Sequence, residues 1–142
     1  MLHVSIPARR TGNSLAARVM TPANYLRLRR KASGLTLEQV AKRLMPRAGF
    51  RPMVVAFLRV LETDGCTAKH RDHIDRLTSV FPLDTDVYYQ LVNDPADKMP
   101  RICSGCGCSA YDPCKNGDEV CGFVAPDACN RCLGETAERE AA

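Results

Sequence analysis

Seven of the eight cysteines lie between Cys103 and Cys132, and these thiols are the residues best suited to chemistry in this chain. The stretch that holds them has few large apolar side chains, so a hydrophobic core cannot fold it. Metal ions or disulfide bonds must hold it instead. The first residues lack the long apolar core of a secretory signal, which predicts a cytoplasmic protein. In a reducing cytosol, clustered cysteines are more often metal ligands than disulfide partners.

Two pairs with the spacing C-x-x-C, at Cys103 and Cys106 and at Cys129 and Cys132, predict a metal site. Each spacing lets two thiolates converge on one ion, and two pairs give the tetrahedral shell of four thiolates that Zn²⁺ prefers. An all-thiolate shell leaves no open position for water, so a structural ion is expected. The predicted cofactor is therefore Zn²⁺, with one or two ions per chain.

Cys108, Cys114 and Cys121 lie between the two pairs, and the sequence leaves their role open. They can form a second zinc site with an oxygen ligand such as Asp112 or Asp118. Alternatively, all seven cysteines can share two metals through a bridging thiolate. An iron–sulfur cluster, which also takes thiolates, is less favoured. Any one of the three can also be a free thiol.

The pattern C-x-x-C-G-C…D-x-C-x-x-C is similar to short cysteine-rich modules at the ends of bacteriophage- and plasmid-type proteins. The residues that carry this resemblance are Cys103, Cys106, Gly107, Cys108, Asp127, Cys129 and Cys132. Phe123 lies near the position where such modules often have a tryptophan. The resemblance implies metal binding and says little about function.

The elements that must position these cysteines are helical, so the predicted fold class is mainly α. Start signals at Thr21, Thr36, Pro52, Thr67 and Asp84 predict five short helices, the fourth over 68–81. The third is apolar on most sides and is expected to be largely buried. The predicted divisions are a basic arm (1–20), a helical domain (21–92), a linker (93–101), a zinc-binding cysteine module (102–134) and a flexible tail (135–142).

Charge is divided unevenly along the chain. Residues 1–101 hold 17 lysines and arginines against 9 acids, whereas residues 102–142 hold 3 against 7. A basic front half suits a polyanion such as double-stranded DNA. No apolar run approaches the length of a membrane span. Because phosphate-binding glycine loops, HExxH and GxSxG motifs are absent, no enzyme is predicted.

The helical domain resembles the lambda-repressor-like (XRE/Cro-type) helix-turn-helix family over roughly residues 22–92. The residues that carry this resemblance are Leu26, Arg29, Arg30, Gly34, Leu35, Thr36, Val40, Ala41, Leu58, Leu61 and Glu62. The resemblance implies five helices, of which the third enters the major groove of DNA. It further implies a repressor that binds as a homodimer. Residues 45–51 lengthen the turn before the third helix, and Leu37 replaces a common glutamine.

Several residues of this domain are candidate DNA contacts. Arg51 and Met53 start the predicted third helix, where they would face the groove. Arg29 and Arg30 belong to a charge run, for which a solvated helix face is an equally good interpretation. The complete candidate set is Lys42, Arg47, Arg51, Met53, Arg59, Arg29 and Arg30.

Together these patterns predict a sequence-specific transcriptional regulator of phage, plasmid or bacterial type. Its zinc module would serve dimerisation or contact with a protein partner. The alternative is a zinc-containing adaptor that binds a host or partner protein rather than DNA. A third interpretation is a metal- or redox-sensing regulator, because thiolates outside a four-cysteine shell can exchange metal or oxidise.

Overall fold

A computed structural model describes residues 19–116 and 118–132, in which five α-helices precede two short β-hairpins. The helices are α1 (Pro22–Ala32), α2 (Leu37–Leu44), α3 (Arg51–Leu61), α4 (Arg71–Leu77) and α5 (Thr85–Asn93). The strands are β1 (Lys115–Asn116), β2 (Glu119–Val120), β3 (Phe123–Ala125) and β4 (Ala128–Cys129), and they pair antiparallel as β1 with β2 and β3 with β4. The prediction of a mainly α fold is confirmed. None of the described helices is long and apolar enough to cross a bilayer.

Side-chain caps confirm three of the predicted helix starts. Thr21 Oγ1 accepts a hydrogen bond from the Asn24 N–H, 3.1 Å away, at the start of α1. Thr36 and Gln39 form a reciprocal capping box at the start of α2. The Asp84 carboxylate accepts two first-turn N–H groups of α5. Each cap satisfies backbone donors that have no partner within the helix.

The fourth helix is shorter than predicted, and Thr67 does not cap it. α4 begins at residue 71 and ends at residue 77, without a side-chain cap. Ala68 explains the late start, because its N–H donates to the Tyr88 hydroxyl at 2.9 Å and its carbonyl accepts from the Tyr89 hydroxyl at 3.0 Å. Both backbone groups therefore serve contacts with α5 and not a helical turn.

The core of the helical domain contains apolar side chains from all five helices. Tyr25 and Tyr88 are its largest fully buried members. Burial raises the pKa of Tyr25 to about 12, and its hydroxyl oxygen accepts the Asp84 N–H at 3.1 Å. The other core members are Leu26, Val40, Leu58, Leu61, Ala68, Ile74, Leu77, Phe81, Leu83, Val87, Leu91 and Ile102. Each buried leucine or valine stabilises the fold by about 1.5–3 kcal/mol relative to exposure.

The prediction that α3 is largely buried is wrong. Only Leu58 and Leu61 of this helix are buried, whereas Met53 is 65% exposed, Phe57 40% and Val60 53%. α3 packs mainly against α2, and on its outer side Phe57 contacts the His73 ring of α4 edge to face. Sequence periodicity cannot foresee this exposure, because a helix that is apolar all round does not reveal which side has a partner.

A buried ion pair joins α1 to the end of α3. Arg30 donates through Nε and Nη2 to the two carboxylate oxygens of Glu62, at 2.6 and 2.8 Å, and through Nη1 to the Leu35 carbonyl at 2.8 Å. Both charged side chains are 11% exposed. The bidentate geometry fixes the direction of α3 as well as its distance from α1.

Glu62→Ala is expected to lower the free energy of unfolding by about 3 kcal/mol, because it leaves the Arg30 guanidinium buried without its counter-charge. Urea unfolding followed by circular dichroism measures the change. Arg71→Gln is the control, since it breaks the exposed Arg71–Asp86 pair and should change stability little. Equal effects of the two substitutions would contradict a structural role for the buried pair.

Candidate metal centre

The first C-x-x-C pair lies on a tight turn that begins the cysteine module. The Cys103 N–H donates to the Cys108 carbonyl and the Gly107 N–H to the Cys103 carbonyl, both at 2.9 Å. The Gly105 N–H points at the Cys103 sulfur, 3.4 Å away. Gly107 has φ +77°, a conformation that favours glycine. The turn therefore directs sulfur atoms and backbone donors to one point.

The two hairpins bring the remaining cysteines to this turn. The Cys121 N–H donates to the Cys114 carbonyl at 3.0 Å, and the Cys114 N–H donates to the Cys121 sulfur at 3.1 Å. Cys129 lies in β4, and its N–H donates to the Cys103 sulfur at 3.5 Å. Cys132 follows β4, and a Cβ added to Gly105 would lie 2.9 Å from its sulfur.

The sulfur atoms have the spacing of ligands to a common ion. Their separations are 3.2 Å between Cys106 and Cys114, 3.7 Å between Cys108 and Cys121, and 3.9 Å between Cys106 and Cys129. Four thiolates at about 2.3 Å from a tetrahedral zinc lie about 3.8 Å apart. Two overlapping groups can hold a metal ion: Cys103, Cys106, Cys108 and Cys129, and Cys108, Cys114, Cys121 and Cys129.

The protonation of these thiols reflects their crowding. A hydrogen bond from the Cys106 thiol is the largest cause that lowers the pKa of Cys103, to about 3. The same bond is the largest cause that raises the pKa of Cys106. Burial is the main cause that raises the pKa of Cys132 to about 12 and that raises the pKa of Cys108. Without a bound cation, the protein therefore favours the ionised form of only some of these cysteines. A cation is needed to keep all of them ionised.

The structure brings together all seven cysteines that the sequence singled out, but not the proposed oxygen ligands. Neither metal-holding group among the described residues includes a carboxylate. Asp112 instead pairs with Arg29, 3.1 Å away. His70 and His73 contact each other edge to face, and neither they nor Cys66 join the metal-holding groups.

Arg29 links the helical domain to the cysteine module. It is 4% exposed and donates to the Pro82 carbonyl at 2.9 Å, the Cys106 carbonyl at 3.4 Å and the Asp112 carboxylate at 3.1 Å. Gly107 lies against the same helix, where an added Cβ would approach the Arg29 side chain to 3.0 Å. The module is therefore packed on α1, and Ile102, directly after the predicted linker, lies in the helical core.

Among the candidate DNA contacts, Arg29 and Arg30 are buried, and their guanidinium groups bind acceptors inside the protein. Arg29 binds the cysteine module, and Arg30 binds Glu62 and Leu35. Adjacent residues on a helix point about 100° apart, so Arg29 reaches the cysteine module while Arg30 reaches the end of α3. The sequence shows two adjacent arginines, but a run of charged residues does not reveal that buried hydrogen-bond acceptors lie beside them.

Three of the other candidate DNA contacts lie around a shallow groove between α2 and α3, whereas Met53 lines a separate hollow between α2, α3 and α4. The groove has a volume of about 610 Å³, and Lys42, Arg51 and Arg59 line it together with Glu38. Lys42, Arg59, Arg47 and Met53 are exposed. Arg51 is partly occupied, since it donates to the carbonyls of Met45 and Pro46 at 3.1 and 2.7 Å and so holds the lengthened turn.

A cleft between α1 and the module leads from solvent to the sulfur atoms. Its volume is about 480 Å³. Cys106, Cys114 and Cys132 line it, together with the cations Arg29, Lys31, Lys115 and Arg131. Solvent access at this side gives ions and chelators a route to the cluster, and the cations lower the electrostatic cost of ionised thiols.

Removal of metal by a chelator is expected to unfold the cysteine module and to leave the helices folded. The module depends on its sulfur ligands, whereas the helices share an apolar core. Hydrogen exchange read by mass spectrometry should report lost protection in residues 102–132 and retained protection in α1 and α2. Unchanged protection in the module, with metal loss verified by elemental analysis, would contradict this expectation.

Comparison with known proteins adds no relative to this geometry. No family model, curated protein or solved structure matches the chain. The resemblance to repressor-like helix-turn-helix proteins therefore remains a prediction. Function must be argued from the cysteine cluster, the cationic groove and the exposed side of α3.

Proposed function

We propose that this protein is a DNA-binding transcriptional regulator whose helical domain is supported by a structural zinc centre. The observation that carries the proposal is the cationic groove between α2 and α3, where Lys42, Arg51 and Arg59 share one surface. A DNA phosphate backbone binds such a surface through several weak ionic contacts at once. In the repressor-like arrangement, these are the second and third helices of the DNA-reading unit.

Side chains at the start of α3 are suited to different parts of a duplex. Met53 is exposed at the first turn and can contact the methyl group of a thymine in the major groove. Arg47 and Lys42 are exposed near the lengthened turn and suit phosphates. Arg59 lies two turns further along α3 and can bind a phosphate or a base edge. A homodimer on a two-fold symmetric operator would double this contact set.

The proposed metal is zinc, and its proposed role is structural. Sulfur separations of 3.7 Å between Cys108 and Cys121 and of 3.9 Å between Cys106 and Cys129 suit pairs of thiolates on one tetrahedral ion. An iron–sulfur cluster places inorganic sulfide between its thiolates and so needs them farther apart. Arg29 of α1 donates a hydrogen bond to the Cys106 carbonyl in the centre, and the neighbouring Arg30 donates to Glu62 at the end of α3. The zinc centre would thereby stabilise the position of α3.

In vitro selection from random duplexes, followed by fluorescence anisotropy, tests DNA binding. The selected duplex is expected to bind at least about 1,000-fold more tightly than random DNA. Lys42→Ala and Arg59→Ala should each weaken binding to all sequences and lower the slope of log K against log salt by about 1, because each removes one phosphate contact.

Lys98→Ala is the matched control, because Lys98 is exposed and does not line the groove. It should leave both affinity and salt slope unchanged. If selection enriches no sequence, and if the groove variants behave like the control, the proposal of DNA recognition through α2 and α3 is wrong.

The second candidate function is a protein adaptor, and the apolar exposure of α3 favours it. Phe50, Met53, Phe57 and Val60 are 40–65% exposed on or next to this helix. An apolar hollow of about 330 Å³ lies beside them, between α2, α3 and α4. Contiguous exposed apolar side chains are typical of surfaces that bind proteins.

A photo-crosslinking amino acid placed in turn at positions 56 and 57 separates the two functions, because Ala56 lines the cationic groove and Phe57 the apolar hollow. A DNA-binding role predicts crosslinks to nucleic acid from position 56, whereas an adaptor predicts a discrete crosslinked protein from position 57. The same amino acid at position 111 is the control, because Tyr111 is 75% exposed and lies in the cysteine module. A protein crosslink at position 57 with no DNA crosslink would favour the adaptor over the regulator.

A further inference from the structure

The count of sulfur atoms sets a simple condition on the metal centre. Two tetrahedral ions need eight coordination positions, and the module supplies seven thiolates. Seven thiolates fill eight positions only if one sulfur binds both ions. The alternative, a separate eighth ligand from the protein, lacks support because neither metal-holding group among the described residues includes a histidine or carboxylate.

The first ion would be held by the two C-x-x-C pairs. The sulfur atoms of Cys103, Cys106 and Cys129 all lie within 4.8 Å of one another, and the Cys129 sulfur is 3.9 Å from that of Cys106. Cys132 is outside both metal-holding groups, but it is the second member of the Cys129 pair. A Cβ added to Gly105 would lie 2.9 Å from the Cys132 sulfur and 3.7 Å from the Cys103 sulfur, so Cys132 is close enough to complete this set. Backbone N–H groups of Gly105 and Cys129 donate to the Cys103 sulfur, which is the usual environment of a structural thiolate.

The second ion would be held by the three remaining thiolates and by one shared with the first. Cys108 and Cys121 are 3.7 Å apart, and the N–H of Cys114 points at the Cys121 sulfur. The only additional sulfur within 4.8 Å of all three, among the described residues, is that of Cys129. The obvious oxygen donor, Asp112, already binds Arg29.

Cys129 and Cys108 both belong to the two overlapping groups, and the partners of Cys129 decide between them. Cys129 is paired with Cys132 by the C-x-x-C spacing, and its sulfur lies 3.9 Å from that of Cys106, so we assign it to the first ion. Without Cys129 the second ion would have three sulfur ligands, and with Cys129 it would have four. Cys108 and Cys129 are both fully buried, so the pairing with Cys132 and not burial distinguishes them.

We propose that the module holds a two-metal cluster with seven thiolates in which the Cys129 sulfur bridges both ions. Cys103, Cys106 and Cys132 complete the first shell, and Cys108, Cys114 and Cys121 complete the second. The Cys106 and Cys114 sulfurs, 3.2 Å apart, then belong to neighbouring shells. Seven thiolates outweigh two divalent ions in charge, which leaves the cluster anionic. The guanidinium of Arg29, bound to the Cys106 carbonyl, and the cations Lys31, Lys115 and Arg131 of the adjoining cleft offset this charge.

Substitution of ¹¹³Cd for the native metal in the full chain tests the cluster directly. Two ¹¹³Cd resonances are expected, each split by coupling to the other through the shared sulfur. In a ¹H–¹¹³Cd correlation spectrum, the β-protons of Cys129 should correlate with both resonances, and those of the other six cysteines with one each. A single cadmium per chain, two uncoupled resonances, or a double correlation at Cys108 would each overturn the proposal.

Cysteine variants give a second readout by elemental analysis. Cys114→Ser should reduce the metal content from two ions per chain to one, because it removes a ligand of the second ion alone. Cys66→Ser is the matched control and should leave two ions, since Cys66 lies outside the metal-holding groups. A Cys114→Ser protein that retains two ions at full affinity would contradict the assignment. Neither measurement involves DNA, so the proposal of a two-metal cluster can be confirmed or contradicted independently of the proposed DNA-binding function.

Discussion

The order of the cysteine module depends on sulfur atoms and not on apolar packing. Its buried cluster consists of Cys103, Cys108 and Cys129, and within the part of the module that the structure describes, Phe123 is the only large apolar side chain packed against them. Two-residue and three-residue strands such as β1 and β3 are too short to be stable alone. A cation bound by the thiolates would supply the cross-links that a hydrophobic core supplies elsewhere. On this account, every other contact of the module would depend on that coordination.

The metal centre and the helices are connected through two neighbouring arginines on α1. Arg29 binds the carbonyl of a cysteine ligand and the carboxylate of Asp112, while Arg30 binds Glu62 at the end of α3. Both guanidinium groups are desolvated, and such charges are stable only with their partners in place. A change in metal occupancy would thus reach the helical domain through the side-chain contacts of α1, while α1 itself stays folded on the apolar core. This connection makes α1 the element through which the module can stabilise the exposed surface of α3.

The sequence predicted what depends on local signals and missed what depends on tertiary packing. Caps at Thr21, Thr36 and Asp84 are local, and so is the convergence of each C-x-x-C pair. The start of α4 was predicted wrongly, because Ala68 is bound by tyrosines twenty residues away. The burial of Arg29 was also missed, because its acceptors come from the other end of the chain. Spacing alone likewise left Cys108, Cys114 and Cys121 unassigned, since their neighbours are set by the hairpins.

The central claim is that metal coordination holds the module, and native mass spectrometry after mild alkylation tests it most directly. Seven engaged thiolates predict a folded chain that carries two zinc ions and is alkylated once, at Cys66. Denaturation with a chelator should then release both ions and allow alkylation of all eight thiols. A folded chain that carries no metal, whether its thiols are oxidised in pairs or all react freely, would contradict the account.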